Sequence, residues 1–207
     1  MAESLFLSLV CCLYWIYGDR RRYLKKRVGK QAFRNAYRVA RNIFFMLKRG
    51  DLELSGNIGV LKGGCVLYSF HFGIWELMPH ALRKMGFRIG VIVNRYHGEN
   101  RSFLARCADT LLKRWRSENG VRIFYSENVL EIVRFIRSGG IFGVLVDGNT
   151  LFQKHEKARR LAQLCEVPLV PFAAYRLGNR GVLRIDCNLV GLVQTMPLDY
   201  MWFYKSR

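Results

Sequence analysis

His71 and Glu76 stand five positions apart in the stretch Ser69-Phe70-His71-Phe72-Gly73-Ile74-Trp75-Glu76. A neutral imidazole can take the proton from a hydroxyl as that oxygen attacks a carbonyl. To do so it needs the correct tautomer and a partner for the imidazolium that forms, and a carboxylate on its other ring nitrogen supplies both. Glu76 is the carboxylate nearest in sequence, placed where the start of a helix favours its ionised form. Gly73 lets the backbone turn between the two. Pro79 is tolerable only in or near a first helical turn, which fits a helix beginning close to Glu76. The other histidines, His80, His97 and His155, lack such surroundings and are read as structural.

The sequence has no GxSxG, and Cys65 falls inside an apolar run. Direct attack by the acceptor is therefore expected, without an acyl-enzyme.

Alternating elements must position the pair. Apolar runs predict strands at Cys65–Phe70, Phe87–Asn94, Val121–Tyr125, Ile141–Val146, Val167–Ala174 and Val182–Leu189. Helices are predicted at Glu76–Met85, Asn100–Arg116, Asn128–Ser138 and Glu156–Cys165. Such alternation predicts an α/β fold, a mostly parallel sheet covered by helices on both faces. Only the last strand alternates polar and apolar residues, so it is expected at an edge. Ligands of such sheets bind beyond the carboxyl ends of the strands. His71, Asn94 with Arg95, and Asp147 each follow a strand there, so they are expected to converge on one site.

The chain has 207 residues and a formal net charge of +19, with 34 Lys and Arg against 15 Asp and Glu. Its apolar fraction of 51% argues against disorder over most of its length. The charge suits an anionic membrane surface, an acidic protein or nucleic acid. The six cysteines form no CxxC pair and have no histidine at zinc-finger spacing, which predicts a reducing compartment with neither disulfides nor a metal.

Leu5–Tyr17 is an almost unbroken apolar run. As a helix it would cover roughly 20 Å, short of the ~30 Å hydrocarbon core. Glu3 and the lack of a cleavage site argue against a signal peptide. From Arg20 to Arg49 every charged residue is Lys or Arg, and Phe33, Ala36, Tyr37, Ala40, Ile43, Phe44 and Leu47 recur at helical spacing. An apolar stub followed by a basic amphipathic helix predicts attachment to an anionic leaflet, each basic residue at the surface contributing about 1 kcal/mol. The positive-inside rule then places the rest in the cytoplasm. A helix packing its apolar stripe on the domain is a compatible reading. Residues 1–49 are thus assigned to membrane association and 50–207 to one catalytic domain.

The motif His71, Gly73, Trp75 and Glu76 resembles the H-x-G-x-W-E form of the H-x4-D/E motif of the lipid A biosynthesis acyltransferase family. The resemblance begins at Asp51-Leu52-Glu53-Leu54-Ser55-Gly56. It continues in Gly139-Gly140-Ile141 through Asp147, in Lys157-Ala158-Arg159-Arg160-Leu161-Ala162 through Val170-Pro171, and in Pro197 to Arg207. It implies a glycerolipid-acyltransferase-like fold with an amino-terminal anchor, His71 as general base and Glu76 as its orienting partner. It implies transfer of a fatty acyl chain from a thioester, on acyl carrier protein or coenzyme A, to a hydroxyl of a lipid or glycolipid at the cytoplasmic face of a bacterial inner membrane. No cofactor is implied. Arg95, Arg114 and Arg116 fall near where the family places basic residues that meet phosphate or the donor, and with the motif residues Gly73 and Trp75 and the strand-end residues Asn94 and Asp147 they are assigned to substrate binding; acyl carrier protein, being acidic, suits the positive charge. The chain departs from the pattern at Asp147-Gly148-Asn149, where Asp-Gln is usual. It also lacks most of the following Phe-Phe-Gly loop and nearly all the helical region before Trp202, which implies a shorter acceptor pocket.

A different class of function is a non-catalytic basic protein binding lipid or nucleic acid. No nucleic-acid module is visible, and the basic residues concentrate beside the apolar stub, so nucleic acid is not expected as a partner.

Overall fold

The computed structural model describes residues 4, 8, 30–93, 110, 113–147 and 151–201. The apolar stub 5–17 other than Ser8, and the basic residues 20–29, lie outside this set, as do Cys11, Cys12, Asn94, Arg95, His97, Cys107, most of the predicted helix Asn100–Arg116, and Trp202 to Arg207.

Seven strands form one sheet: β1 (Leu52–Gly56), β2 (Cys65–Ser69), β3 (Ile89–Val93), β4 (Arg122–Tyr125), β5 (Ile141–Leu145), β6 (Leu169–Leu177) and β7 (Arg180–Ile185), in the order β1-β7-β6-β2-β5-β3-β4. All neighbours are parallel except β6 and β7, which pair antiparallel as a hairpin. The α/β class and the mostly parallel sheet are as the alternation predicts.

The helices are α1 (Lys30–Leu47), α2 (Met78–Lys84), α3 (Val129–Arg137), α4 (Leu151–Cys165) and α5 (Leu189–Thr195), with residues 113–117 also helical. They cover both faces because successive side chains of a strand point opposite ways. Leu67 of β2 and Ile141 of β5 pack with Met78 and Leu82 of α2. Their neighbours Val66 and Phe142 pack with Phe135 and Ile136 of α3 and Ala158 and Ala162 of α4. Each such large apolar side chain contributes about 1.5–3 kcal/mol by its burial. A third cluster, with Phe72, Tyr175, Val182 and Tyr200, joins β6 and β7 to α5.

Three expectations change. The alternating strand β7 is not an edge, since β1 pairs along it and takes the edge position. Its alternation reflects Arg180 and Arg184 facing solvent while Val182, Leu183 and Ile185 are buried. The short helix α5 occupies the region read as nearly devoid of helix. In α1 the buried face is rotated: Asn35, Ala36, Val39, Ala40, Asn42 and Met46 are buried, whereas Tyr37 and Leu47 are exposed.

Two buried asparagines explain that rotation, because each has a backbone or carboxylate partner on the carboxy-terminal segment. Asn35 Nδ2 donates to the carbonyls of Leu198 (2.8 Å) and Tyr200 (3.2 Å). Asn42 Nδ2 donates to Asp199 Oδ1 at 2.9 Å. The helix therefore packs on the domain and turns Arg34, Arg38 and Lys48 outward. No helix among the described residues is long and apolar enough to cross a membrane.

Candidate active site

The β2–β5 register sets the geometry. Cys65 pairs with Ile141 and Ser69 with Leu145. Continued two residues past the strands, the same offset brings His71 beside Asp147. The Asp147 carboxylate is fully buried and receives the His71 backbone N–H on Oδ2 at 2.7 Å. Its Oδ1 lies 2.6 Å from His71 Nδ1. With Nδ1–H donated to this carboxylate, Nε2 is the proton-accepting nitrogen, a tautomer assigned from the hydrogen bond. Tyr200 lies near the same carboxylate; burial first, then the negative charge of Asp147, push its pKa up.

The carboxylate that meets His71 Nδ1 is thus Asp147, whereas the motif spacing points to Glu76. A one-turn 3-10 helix, Trp75–Leu77, leads into α2 and carries Glu76 to Arg116 instead. Arg116 Nε donates to Glu76 Oε2 at 2.8 Å, and its Nη2 to Oε1. Trp75 Nε1 donates to Glu76 Oε1 at 3.2 Å, while the Trp75 ring meets His71 edge to face at 5.2 Å. Glu76 and Arg116 are 14% and 21% exposed, so the pair is largely desolvated. Pro79 lies in the first turn of α2, as its ring requires.

The loop carrying the histidine is tied down on two sides. Gly73 has φ +62°, and a β-carbon there would lie 2.2 Å from the carbonyl oxygen of Ala174, so only glycine fits. Ile74 N–H donates to that carbonyl at 2.7 Å. Gly73 N–H donates to Asp199 O at 2.9 Å, and Met201 N–H to His71 O at 2.8 Å. Asp199, buried, in turn holds Asn42 of α1.

His71, Trp75, Glu76 and Arg116 line one cavity of about 440 Å³. Its walls include Met78, Pro79, Val91, Val93, Leu145 and Phe172, with His80 and Lys157 among them. At its base Gly143 makes room for Met78, whose methyl would lie 2.7 Å from a β-carbon at that position. The hydrogen-bonded His71–Asp147 pair stands here beside a largely apolar chamber.

Of the predicted site residues, the structure brings together His71, Trp75, Glu76, Arg116 and Asp147, with Gly73 beneath them. Arg114 is exposed, and its carbonyl accepts from Ser117 Oγ at 2.9 Å. Asn94 and Arg95 lie outside the described residues. Asp147 was placed at the correct sheet edge by its position after a strand, but its role depends on β2 and β5 being neighbours, which local patterns do not encode. Tyr200, Asp199 and Asn42 carried no motif of their own.

Cys65, Cys165 and Cys187 are free and buried. Burial pushes the Cys65 thiol up to about 12, so it is no thiolate nucleophile. No group of side chains suited to a metal ion occurs among the described residues. No known family model matches the chain, and no curated protein matches it.

Proposed function

We propose that the chain is an O-acyltransferase that moves a fatty acyl group from a thioester to a hydroxyl of a lipid. The observation carrying this reading is the His71 Nδ1–Asp147 bond at the mouth of an apolar cavity. His71 Nε2 takes the acceptor's hydroxyl proton as that oxygen attacks the thioester carbonyl. Asp147 stabilises the imidazolium. The tetrahedral intermediate then collapses, its carbon–sulfur bond breaks, and the imidazolium returns the proton to the departing thiolate. An ester and a free thiol result, and the base is regenerated.

Arg116, aligned by Glu76, is the cation placed to meet a phosphate or the developing oxyanion at the cavity mouth. The outward basic face of α1 with Arg34, Arg38 and Lys48 supports docking on an anionic leaflet or on an acidic acyl carrier. The test is transfer from an acyl thioester in the presence of membrane lipid. His71→Ala is expected to abolish transfer while leaving the unfolding transition in place. Undiminished transfer by that variant rules out His71 as the base.

A further inference from the structure

His80, on α2, lines the cavity and is only 5% exposed. Neither of its ring nitrogens has a hydrogen-bond partner among the described residues. Trp115 holds the imidazole edge to face, with ring centres 4.5 Å apart, and its own buried Nε1 is likewise unmatched. Buried polar atoms in native proteins are nearly always satisfied, so the unmatched imidazole of a cavity-lining residue marks where a polar group is taken up.

The chemistry of that group follows from the imidazole. Desolvation, reinforced by the charge of Arg49, lowers the pKa of His80. The ring is therefore neutral, with one nitrogen donating and the other accepting. A carboxylate or phosphate would leave the accepting nitrogen unmatched and find no charge on the ring. An unsubstituted methylene chain would leave both unmatched. A neutral hydroxyl can donate to the accepting nitrogen or accept from the donating one, so it matches whichever of the two it reaches.

We propose that His80 forms a hydrogen-bonding subsite, within the acyl cavity, for a hydroxyl carried on the acyl chain. The subsite rests on the acyltransferase reading, because the acyl chain is what would bring the hydroxyl into the cavity. Specificity would then come from an orphaned polar group: a chain lacking the hydroxyl leaves the imidazole unsatisfied and binds more weakly.

The test is calorimetric titration of the full chain with fatty acids of one length, unsubstituted or hydroxylated at successive carbons. At one hydroxyl position affinity is expected to rise about tenfold, the effect of one buried hydrogen bond. His80→Leu should erase that preference, so that hydroxylated and unsubstituted acids bind the variant with equal affinity. His80→Gln, which keeps a donor and an acceptor, should retain part of it. If unsubstituted acids bind and no hydroxylated acid binds more tightly, the subsite is refuted and the cavity reading stands. If neither series binds, the acyl cavity and the subsite fall together.

Discussion

Asp147→Asn separates the geometry seen here from the one the motif suggests. The aspartate accepts from His71 Nδ1 at 2.6 Å and from the His71 backbone at 2.7 Å. An asparagine keeps the shape and one oxygen. If that oxygen stays with the backbone N–H, its NH₂ faces Nδ1, and the imidazole must move its proton to Nε2. A protonated Nε2 cannot act as base, and no anion remains beside an imidazolium. The lost rate should be that of general-base catalysis, about 10²–10⁴-fold. Stability should fall by only about 1–3 kcal/mol, since one buried partner is mismatched while the fold is kept. The assay is thiol release from an acyl thioester with lipid acceptor present, run on wild type, Asp147→Asn, His71→Ala and the double variant. Because the two residues act as one unit, the double variant should be no slower than either single one. Nitrogen NMR of the His71 ring should show the proton on Nδ1 in the wild type and on Nε2 in Asp147→Asn. Activity within threefold of wild type for Asp147→Asn, together with a Glu76→Gln loss as large as that of His71→Ala, would refute the assignment of the orienting carboxylate.

Gly73→Ala forces a β-carbon against Ala174 O and holds alanine at φ +62°, so it should cost well over the roughly 1–2 kcal/mol of the left-handed conformation alone, measurable by urea unfolding. Arg116→Met strands a largely buried Glu76 and should cost about 1.5–3 kcal/mol by the same measurement; adding Glu76→Gln should recover part of the loss. The Cys65 thiol titrates at about 12 in the folded chain against 9.0 ordinarily, because burial disfavours its charge. Its stabilising effect is complete below pH 9, where folded and unfolded chains both hold the proton. It is lost as pH rises toward 12, because the unfolded chain releases that proton first. Over this window Cys65→Ala should make the fall in stability shallower by about 1.4 kcal/mol per pH unit, one proton's worth, as read from urea unfolding at successive pH values.

The sheet was legible because its buried strands are continuous apolar runs, and because Gly86, Gly120, Gly139 and Gly140 punctuate the joints. Even helix α2 begins where Pro79 demands. What escaped were features set by contacts distant along the chain. Leu52–Gly56 has no continuous apolar run, since Glu53 and Ser55 interrupt it, and its place as a strand is set by pairing along β7. The buried stripe of α1 was misplaced because Asn35 and Asn42 look polar yet their amide N–H groups donate to Leu198, Asp199 and Tyr200. The histidine's position at a strand end was readable from its neighbours. Its partner was not, since sequence proximity favoured Glu76 while the register of two strands delivered Asp147.

Asp199 joins Asn42, 157 residues earlier in sequence, through its buried carboxylate, and Gly73 through its backbone carbonyl. During synthesis, β2 and the histidine leave the ribosome long before residues 199–201. Until those residues arrive, the loop lacks the bonds from Gly73 and Met201, and Asp147 lacks its tyrosine. A nascent or truncated polypeptide ending before Asp199 would carry the His71 dyad without its outer supports. The geometry around His71 should therefore be completed late, only after residues 199–201 have been made.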